Sequence, residues 1–265
     1  MTLAKHKQYL AAWLDISAEQ FEKANGITLT VAPKRCVVPE GLLLKYPLYA
    51  FQTQNVVDVS CVPEIEVELR NLLETADYSN AIQKMQDYFD HNKEKFAVFT
   101  PSRLKVFGLD EFNLQADITR AFMLESKHYE QYRDFYLKIR PYSKELEPDK
   151  WLPQHFQEIL SKQVDFFLFE KNTIVSGTDV SVVPYMADEV IELGVDTLRD
   201  HRRNGYAFSV CSAFIQYHLQ RGLVPIWRCT FDNDVSDKLA YKLGFQYLGN
   251  EYSLCTLPGT NSFTI

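Results

Sequence analysis

The sequence predicts a fold of the α/β class, and three observations point to it. Several segments, such as residues 57–61, alternate apolar with polar side chains, which is typical of a half-buried strand. Other segments, such as residues 129–139, carry apolar and aromatic side chains at helical spacing. Between residues 190 and 222 a strand pattern passes through a short turn directly into a helix pattern. The chain of 265 residues is long enough for one large domain or two ordinary ones.

The first 115 residues mix helix and strand signals and contain no motif with recognisable chemistry. Apolar residues 3, 10, 13 and 14 share one helical face. Ser17 and Gln20 form a capping box that opens a second helix, which we expect to end at Gly26. The other elements predicted here are a strand at residues 27–31, β-rich chain at 49–61, helices opening at Pro63 and capped by Ser79, and a buried strand at 96–99. We therefore predict an N-terminal α+β region over residues 1–115.

A second mixed pattern begins near residue 116 and continues along the chain. Its predicted elements are a strand at residues 121–124, helices at 129–139 and 148–162, and strands at 166–169, 173–183 and 189–195. No linker rich in glycine or serine separates the two parts, so the boundary rests on the change of pattern alone. We predict residues 116–265 as a second domain.

Composition and charge restrict the classes of partner. The formal net charge is -7 and the pI is about 5.4, so the chain has no overall attraction to nucleic acid or to an anionic membrane. We see no secretory signal and no apolar run of bilayer-spanning length, and we expect a cytoplasmic protein. The five cysteines include no Cys-x-x-Cys pair, so neither a disulfide framework nor a metal site is predicted.

The most informative segment joins the strand that ends near residue 197 to the helix that Gly222 ends. The residues between them include Arg202, Arg203, Asn204, Gly205, Tyr206 and Ala207. The first amides of a helix lack internal partners and carry partial positive charge. Gly205 and the small Ala207 allow a ligand to approach the backbone closely, and the arginines add positive charge. This arrangement predicts a diphosphate site at the start of the helix.

Two other phosphate-binding motifs do not fit this segment. A Walker loop needs a Gly-Lys-Ser/Thr ending, which the chain lacks. A dinucleotide fingerprint needs three glycines at fixed spacing, whereas this loop contains one. Both interpretations are therefore excluded.

A second motif follows, one helix and one strand later. After an apolar strand at residues 224–230 the chain contains Asn233, Ser236, Ala240, Lys242, Gly244 and Phe245. Together the two motifs resemble the GNAT acetyltransferase superfamily, in the branch that has an additional N-terminal region. The similarity covers roughly residues 120–255 and is close over residues 190–245.

This resemblance implies both a fold and a function. The implied fold is a mixed, mostly antiparallel sheet that is splayed at a cofactor cleft and flanked by helices. The implied function is transfer of an acetyl group from acetyl-CoA to a primary amine by direct attack in a ternary complex, without a metal. A homodimer agrees with the resemblance. The residues implied to contact acetyl-CoA are Val195, Asp196 and Thr197 beside the pantetheine arm, Arg202, Arg203, Asn204, Gly205, Tyr206 and Ala207 around the pyrophosphate, and Asn233 and Ser236 near the thiol.

The catalytic groups are less well defined by the pattern. Glu189 and Glu192 are the candidates for accepting the proton of the amine, and they face opposite sides of an ideal strand. Many members of the superfamily protonate the leaving thiolate with a tyrosine, at a position that Ala240 occupies here. Ser236, Tyr206 or a water molecule would take that role, or the thiolate would leave without help.

Several alternatives stay open at this point. Ala240 favours a GNAT fold that senses acyl-CoA without turning it over. A protein-interaction module would place the function in residues 1–115. Asn233 could serve only as a helix cap. The aromatic residues between 129 and 136 are more often core residues than the lining of an acceptor pocket.

Overall fold

One ten-stranded sheet forms the centre of the computed structural model, which describes residues 2–95, 100–112, 116–181 and 183–256. Its strands are β1 (Gly26–Val31), β2 (Lys45–Gln52), β3 (Val56–Cys61), β4 (Thr100–Leu109), β5 (Ala121–Phe122), β6 (Phe167–Glu170), β7 (Thr173–Ser181), β8 (Val190–Thr197), β9 (Val224–Thr230) and β10 (Phe245–Thr256). Their order across the sheet is β1-β3-β2-β10-β4-β9-β8-β7-β6-β5. Neighbouring strands pair antiparallel, except β1 with β3 and β8 with β9. The predicted mixed, mostly antiparallel sheet is confirmed.

Helices cover both faces of this sheet. They are α1 (Thr2–Leu14), α2 (Ala18–Lys23), α3 (Glu66–Glu74), α4 (Ala81–His91), α5 (Tyr129–Ile139), α6 (Pro148–Lys162), α7 (Tyr206–Leu219) and α8 (Asp234–Lys242). One face, here called the α1 face, holds Val190 against α1 and Asp196 against Arg140 at the end of α5. The opposite face, the α7 face, holds Ile191 and Trp227 in the core beneath α7 and α8. Side chains of successive β8 residues therefore alternate between these two environments.

The N-terminal helices follow the sequence signals closely. The capping box is confirmed, because the Ser17 hydroxyl accepts from the Gln20 amide at 3.1 Å and the Gln20 side chain accepts from the Ser17 amide at 2.8 Å. α2 nevertheless ends at Lys23, before Gly26, which already belongs to β1. Pro63 opens a short 3₁₀ turn from which α3 continues.

The predicted cap of α4 is wrong. The residue before α4 is Asn80, whose side chain makes no capping bond. Ser79 instead donates its amide to Asp77 at 2.8 Å, so the aspartate organises the turn. The strand predicted at residues 96–99 lies outside the described residues.

Most elements after residue 116 lie close to their predicted positions. α5 and α6 match the predicted bounds, whereas β5 is limited to Ala121–Phe122. β8 begins one residue later than predicted, because the Glu189 amide donates to Met186 in the preceding turn at 2.9 Å. His218 is fully buried in α7 and its Nε2 lies 3.0 Å from the Val164 carbonyl oxygen.

Two strands were not anticipated, and they join the two halves of the chain. β4 lies between β9 and β10 and pairs with both of them. β10 in turn pairs with β2 on its other edge. The sheet therefore continues across residue 115. The division into residues 1–115 and 116–265 stays a prediction about domains, but both parts contribute strands to one sheet.

Candidate active site

A gap between β8 and β9 marks the candidate site. The two parallel strands pair only at Val190–Val224, Ile191–Pro225 and Glu192–Ile226. Beyond Glu192, β8 pairs only with β7, on its other side. The edge of β8 that faces β9 is thus free from Leu193 onward, and a free strand edge can form hydrogen bonds with an extended ligand.

The peptide groups of Val195 and Thr197 point into this gap. The carbonyl oxygen of Asp196 accepts from the Ser176 hydroxyl of β7 at 3.0 Å, so Asp196 faces β7. The N–H and C=O of one strand residue point to the same edge, and successive residues alternate between the two edges, which directs those of Val195 and Thr197 toward β9. This is the orientation that pairing with a pantetheine arm needs. The side chain of Asp196, in contrast, points to the α1 face and pairs with Arg140 at 3.2 Å.

The predicted phosphate loop lies at the end of this edge. Gly205 has a φ of +80° and directly precedes α7, and Arg203 has a φ of +66°. A Cβ built on Gly205 meets nothing within 4 Å, so the space in front of the first amides of α7 is open. Asn204 stabilises the loop by donating its side-chain amide to the His201 carbonyl at 3.2 Å. The loop therefore presents free helix amides to an anion.

The two arginines of the loop keep their charge available. Arg202 donates from Nε to the Thr197 carbonyl at 3.2 Å, which holds it across the mouth of the gap. Among the described residues, neither Arg202 nor Arg203 forms a salt bridge, and both side chains are exposed. Positive charge that no direct ion pair neutralises therefore lies next to the helix terminus.

Tyr206, the first residue of α7, is a poor candidate for the acid that protonates the thiolate. Two residues that sequence reasoning did not identify account for this. Its hydroxyl donates to Glu170 at 2.9 Å, and Arg120 forms an ion pair with the same carboxylate. The hydrogen bond to Glu170 raises the pKa of Tyr206 above its ordinary value. A phenol with a raised pKa is a weaker proton donor, which disfavours Tyr206 as the acid.

α8 supplies both residues of the second motif. Asn233 caps the helix, because its side-chain oxygen accepts from the Ser236 amide at 3.1 Å. The Ser236 hydroxyl accepts from Trp227 Nε1 at 2.9 Å, on the α7 face of β9. The Ser236 hydroxyl also interacts with the Cys229 thiol of β9. The predicted cap is therefore present, and Ser236 lies against the strand that borders the gap.

The residues around position 240 leave no tyrosine at the gap. Ala240 is completely buried. The ring of Tyr241 packs edge-on against Phe107 of β4, with 5.5 Å between centroids. Since β4 lies on the side of β9 that is remote from β8, Tyr241 does not face the gap.

The two candidate bases lie in different places. Glu189 precedes β8, is about half exposed and pairs with Lys5 of α1 at 3.2 Å. It precedes the three residues of β8 that pair with β9, so it lies on the closed side of the gap. Glu192 is the last β8 residue paired with β9, so it lies where the gap opens. Of the two candidate bases, only Glu192 lies where the gap opens.

Glu192 belongs to a charged cluster that sequence reasoning missed. Arg228 of β9 forms ion pairs with Glu192 and with Glu251 of β10, the latter at 3.3 Å. Tyr49 of β2 donates to Glu251 at 3.2 Å. Burial by itself lowers the pKa of Arg228, but the two carboxylates raise that pKa by more than burial lowers it. The pKa of Arg228 therefore lies well above its ordinary value. Arg228 therefore stays cationic and fixes both carboxylates.

The aromatic residues of α5 serve mainly as core. Tyr132 and Phe135 are buried in the cluster that also contains Phe167 of β6. Together with Tyr136, they border a cavity of about 100 Å³ between α5, α6 and β7. Burial raises the pKa of Asp165 in this cavity to about 7.

Two absences apply to the described part of the chain. None of its helices has both the length and the apolar character that crossing a membrane requires. Within the same residues, no group of three or more His, Cys, Asp or Glu side chains is arranged to hold a metal ion.

Comparison with known proteins agrees with this geometry. The family model for GNAT acetyltransferases matches residues 66–255, which is well over half of the chain. The chain therefore belongs to the GNAT acetyltransferase family. The matched range includes β4 and the whole β8–α7–β9–α8 unit.

Individual relatives match over shorter or more divergent stretches. The uncharacterized N-acetyltransferase YdfB of Bacillus subtilis (strain 168) is 32% identical over 97 residues, which are 37% of this chain and 36% of YdfB. A GNAT-family acetyltransferase structure from Colwellia psychrerythraea has 15% identity, covers 64% of this chain and 61% of its own, and gives a TM-score of 0.49. The aminoglycoside N-acetyltransferase AAC(6')-Iy in complex with CoA has 19% identity, covers 48% of this chain and 86% of its own, and gives a TM-score of 0.39.

Proposed function

We propose that this protein is an N-acetyltransferase that moves an acetyl group from acetyl-CoA to a primary amine in a ternary complex. The observation that carries the proposal is the free edge of β8, which leads from Glu192 to the open N-terminus of α7. An extended thioester with a diphosphate at one end matches both features. Membership of the GNAT acetyltransferase family supports the same activity.

The cofactor would lie along the free edge with its charged end at the loop. The amides at the start of α7 would bind the pyrophosphate, supported by Arg202 and Arg203. Peptide groups of Val195 and Thr197 would pair with the pantetheine arm. Asn233 and Ser236 on α8 would border its thiol end. The thioester would then lie near Glu192, where the gap closes.

The transfer would proceed by direct attack. The amine nitrogen bonds to the thioester carbonyl carbon, the C–S bond breaks, and CoA leaves as the thiolate. Glu192 would accept the proton that the amine loses. A backbone amide of β8 would stabilise the oxyanion, and Ser236 or a water molecule would return a proton to the thiolate. Holding the two reactants together would supply much of the rate enhancement.

One observation favours a second function. Ala240 is buried and Tyr241 packs against β4, so neither position 240 nor position 241 places a tyrosine at the gap to protonate the thiolate. A protein that binds acyl-CoA as a signal would not need this group. The alternative is therefore an acyl-CoA sensor with the GNAT fold.

Two measurements on the full chain test these functions. Calorimetric titration with acetyl-CoA should show saturable binding, and absence of binding at millimolar ligand would contradict both functions. Release of free CoA thiol is then followed across a panel of primary amines. Amine-dependent thiol release supports the transferase, whereas tight binding without release for every amine supports the sensor.

A further inference from the structure

β1 lies at one edge of the sheet, and within the described residues β3 is its only strand neighbour. The opposite edge of the sheet ends in β5, which has two residues and so offers little backbone for pairing. β1, in contrast, has six residues that pair with β3 without a register shift. None of the six is charged or proline, the residues that commonly protect an edge strand from association. β1 is therefore a long, regular edge that is open to another strand.

Alternate residues of β1 direct their backbone N–H and C=O groups away from β3. The Gly26 amide donates to the Asn55 carbonyl at 3.3 Å, so Gly26 faces β3. Successive residues of a strand alternate between its two edges, which directs the groups of Ile27, Leu29 and Val31 outward. Among the described residues, no hydrogen bond reaches these groups from the outer side. The edge therefore presents a row of free donors and acceptors.

The rest of the described chain seals neither face of this edge. All six β1 residues are partly exposed. On one face, a groove of about 370 Å³ is lined by α2 together with Thr28 and Thr30. On the other face, Ile27 and Leu29 pack at the margin of the core cluster beneath α3 and stay partly exposed. A further strand would complete the cover of these side chains.

The residues of β1 are complementary to themselves in the antiparallel direction. With Leu29 opposite Leu29 of a second copy, Ile27 lies opposite Val31. In the same register, Thr28 lies opposite Thr30. Apolar residues thus meet apolar residues and threonine meets threonine, which are favourable cross-strand pairs. The outward-facing residues exchange both of their backbone bonds in this register, which gives about six hydrogen bonds between the two copies.

We propose that two copies of this chain associate through β1, antiparallel about a twofold axis at Leu29, and so form one continuous sheet. Such a pair uses the same surface on both copies and is closed. A second copy fits this edge because the register that satisfies the backbone also matches the side chains on both faces. Four strands separate β1 from β9, so association leaves the gap between β8 and β9 accessible.

Sedimentation equilibrium of the full chain tests the association. The natural protein should be a dimer at micromolar concentration. Leu29→Lys should raise the dimer dissociation constant at least about tenfold, because two lysines would then lie directly opposite each other at the axis. Leu29→Met is the matched control, since it keeps an apolar side chain and should associate as the natural protein does.

A mixture of two charged variants tests the position of the axis. Leu29→Glu alone should be as weakly associated as Leu29→Lys. The two variants together should form a one-to-one dimer, because opposite charges then face each other across the axis. Mixing would not correct a folding defect in either variant. A mixture that stays monomeric would overturn the pairing of position 29 with itself.

Val31→Pro provides a second test that does not depend on charge. It removes an N–H group that faces outward and that β3 does not use, so the fold should tolerate it. The variant should be monomeric, with the circular dichroism spectrum of the natural protein. A natural protein that is monomeric throughout the micromolar range would overturn the proposal. So would a folded Leu29→Lys or Val31→Pro variant that dimerises with natural affinity.

Discussion

Gly205 is the residue at which the predicted phosphate loop passes into helix α7. Its φ of +80° lies in the left-handed region, where a residue with a Cβ costs about 1 kcal/mol or more. The space beside it is empty of protein atoms within 4 Å. A side chain at this position would therefore project into the place proposed for the pyrophosphate.

Gly205→Glu should abolish acetyl-CoA binding, because it blocks the approach to the amides and adds a negative charge. Gly222→Glu is a matched control, since Gly222 also has a φ of +80° and nothing within 4 Å, but lies after the other end of α7. Calorimetry should show loss of binding in the first variant and natural affinity in the second. Equal affinity in both variants would refute the loop assignment.

His6 illustrates a residue that affects stability rather than the site. Its ring is fully buried, and Nε2 accepts from the Leu109 amide at 2.9 Å. Burial lowers the pKa of His6 to about 4 from 6.5. Between these values the unfolded chain binds a proton that the folded chain does not. The free energy of unfolding therefore falls as the pH drops from 6.5 toward 4.

His6→Gln should remove part of the acid sensitivity of the fold. The glutamine oxygen can accept from Leu109 without titrating. Between pH 7.5 and pH 5 the natural protein should lose about 2 kcal/mol that the variant keeps. Urea unfolding at the two pH values measures this difference. His91→Gln, at an exposed position, provides the control. Equal losses of unfolding free energy in the His6 variant and the natural protein would contradict this role of His6.

At the scale of elements, the separation of β8 from β9 decides which glutamate lies near the proposed site of acetyl transfer. Glu189 and Glu192 are three residues apart, which is about 10 Å along a strand. Glu189 precedes the three residues of β8 that pair with β9, and Glu192 is the last of those three. Only the position of the strand separation distinguishes them.

Glu192→Gln should lower kcat about a hundredfold, because it removes the proposed proton acceptor. Its affinity for acetyl-CoA should not change, since we propose that backbone groups and the loop bind the cofactor. Glu189→Gln should leave turnover unchanged, because it removes only a surface ion pair with Lys5. Steady-state kinetics with one amine that is acetylated measures kcat for both variants. The reverse order of effects would exclude Glu192 as the base.

At the scale of the whole molecule, the sheet joins the two halves of the chain. β4 supplies a hydrogen-bonding partner to both β9 and β10, and β2 covers the other edge of β10. Tyr9 and Tyr49 of the N-terminal part also border the charged cluster at the gap. The first part of the chain is therefore a component of the candidate site.

A fragment of residues 116–265 should fail to fold, because it exposes both edges of β10 and one edge of β9. Co-expression with residues 1–115 should restore a soluble complex, since that fragment supplies β2 and β4. Circular dichroism and acetyl-CoA titration check both preparations. An isolated fragment 116–265 that folds and binds acetyl-CoA with natural affinity would contradict this view.

Sequence reasoning performed best where the signal is local. The capping box at Ser17, the bounds of α5 and α6, and the turn from β8 into α7 each depend on residues within a few positions of one another. Helix caps and apolar periodicity report such short-range order directly. The cofactor loop is a local feature of the same kind, and its residues stay our prediction for the pyrophosphate site.

β4 and β10 were missed for a related reason. Phe245 to Thr256 includes Tyr252, Ser253 and Leu254, which are buried on both sides between β2 and β4 and so lack the simple alternation of a surface strand. The alternation of Leu104, Val106 and Gly108 on one face of β4 was a signal that could have been used. This signal was weak because the first six residues of the strand are exposed or only partly buried.

The sequence by itself determined the α/β class and the resemblance to GNAT acetyltransferases, and it predicted the helix-terminal anion site, because each depends on residues near one another along the chain. Only the tertiary structure decided that Glu192, rather than Glu189, lies at the gap. Only the structure brought Arg228 and Glu251 to Glu192, and Arg140 to Asp179 and Asp196. These contacts join residues far apart in sequence, so they depend on strand order and register, which no local pattern specifies.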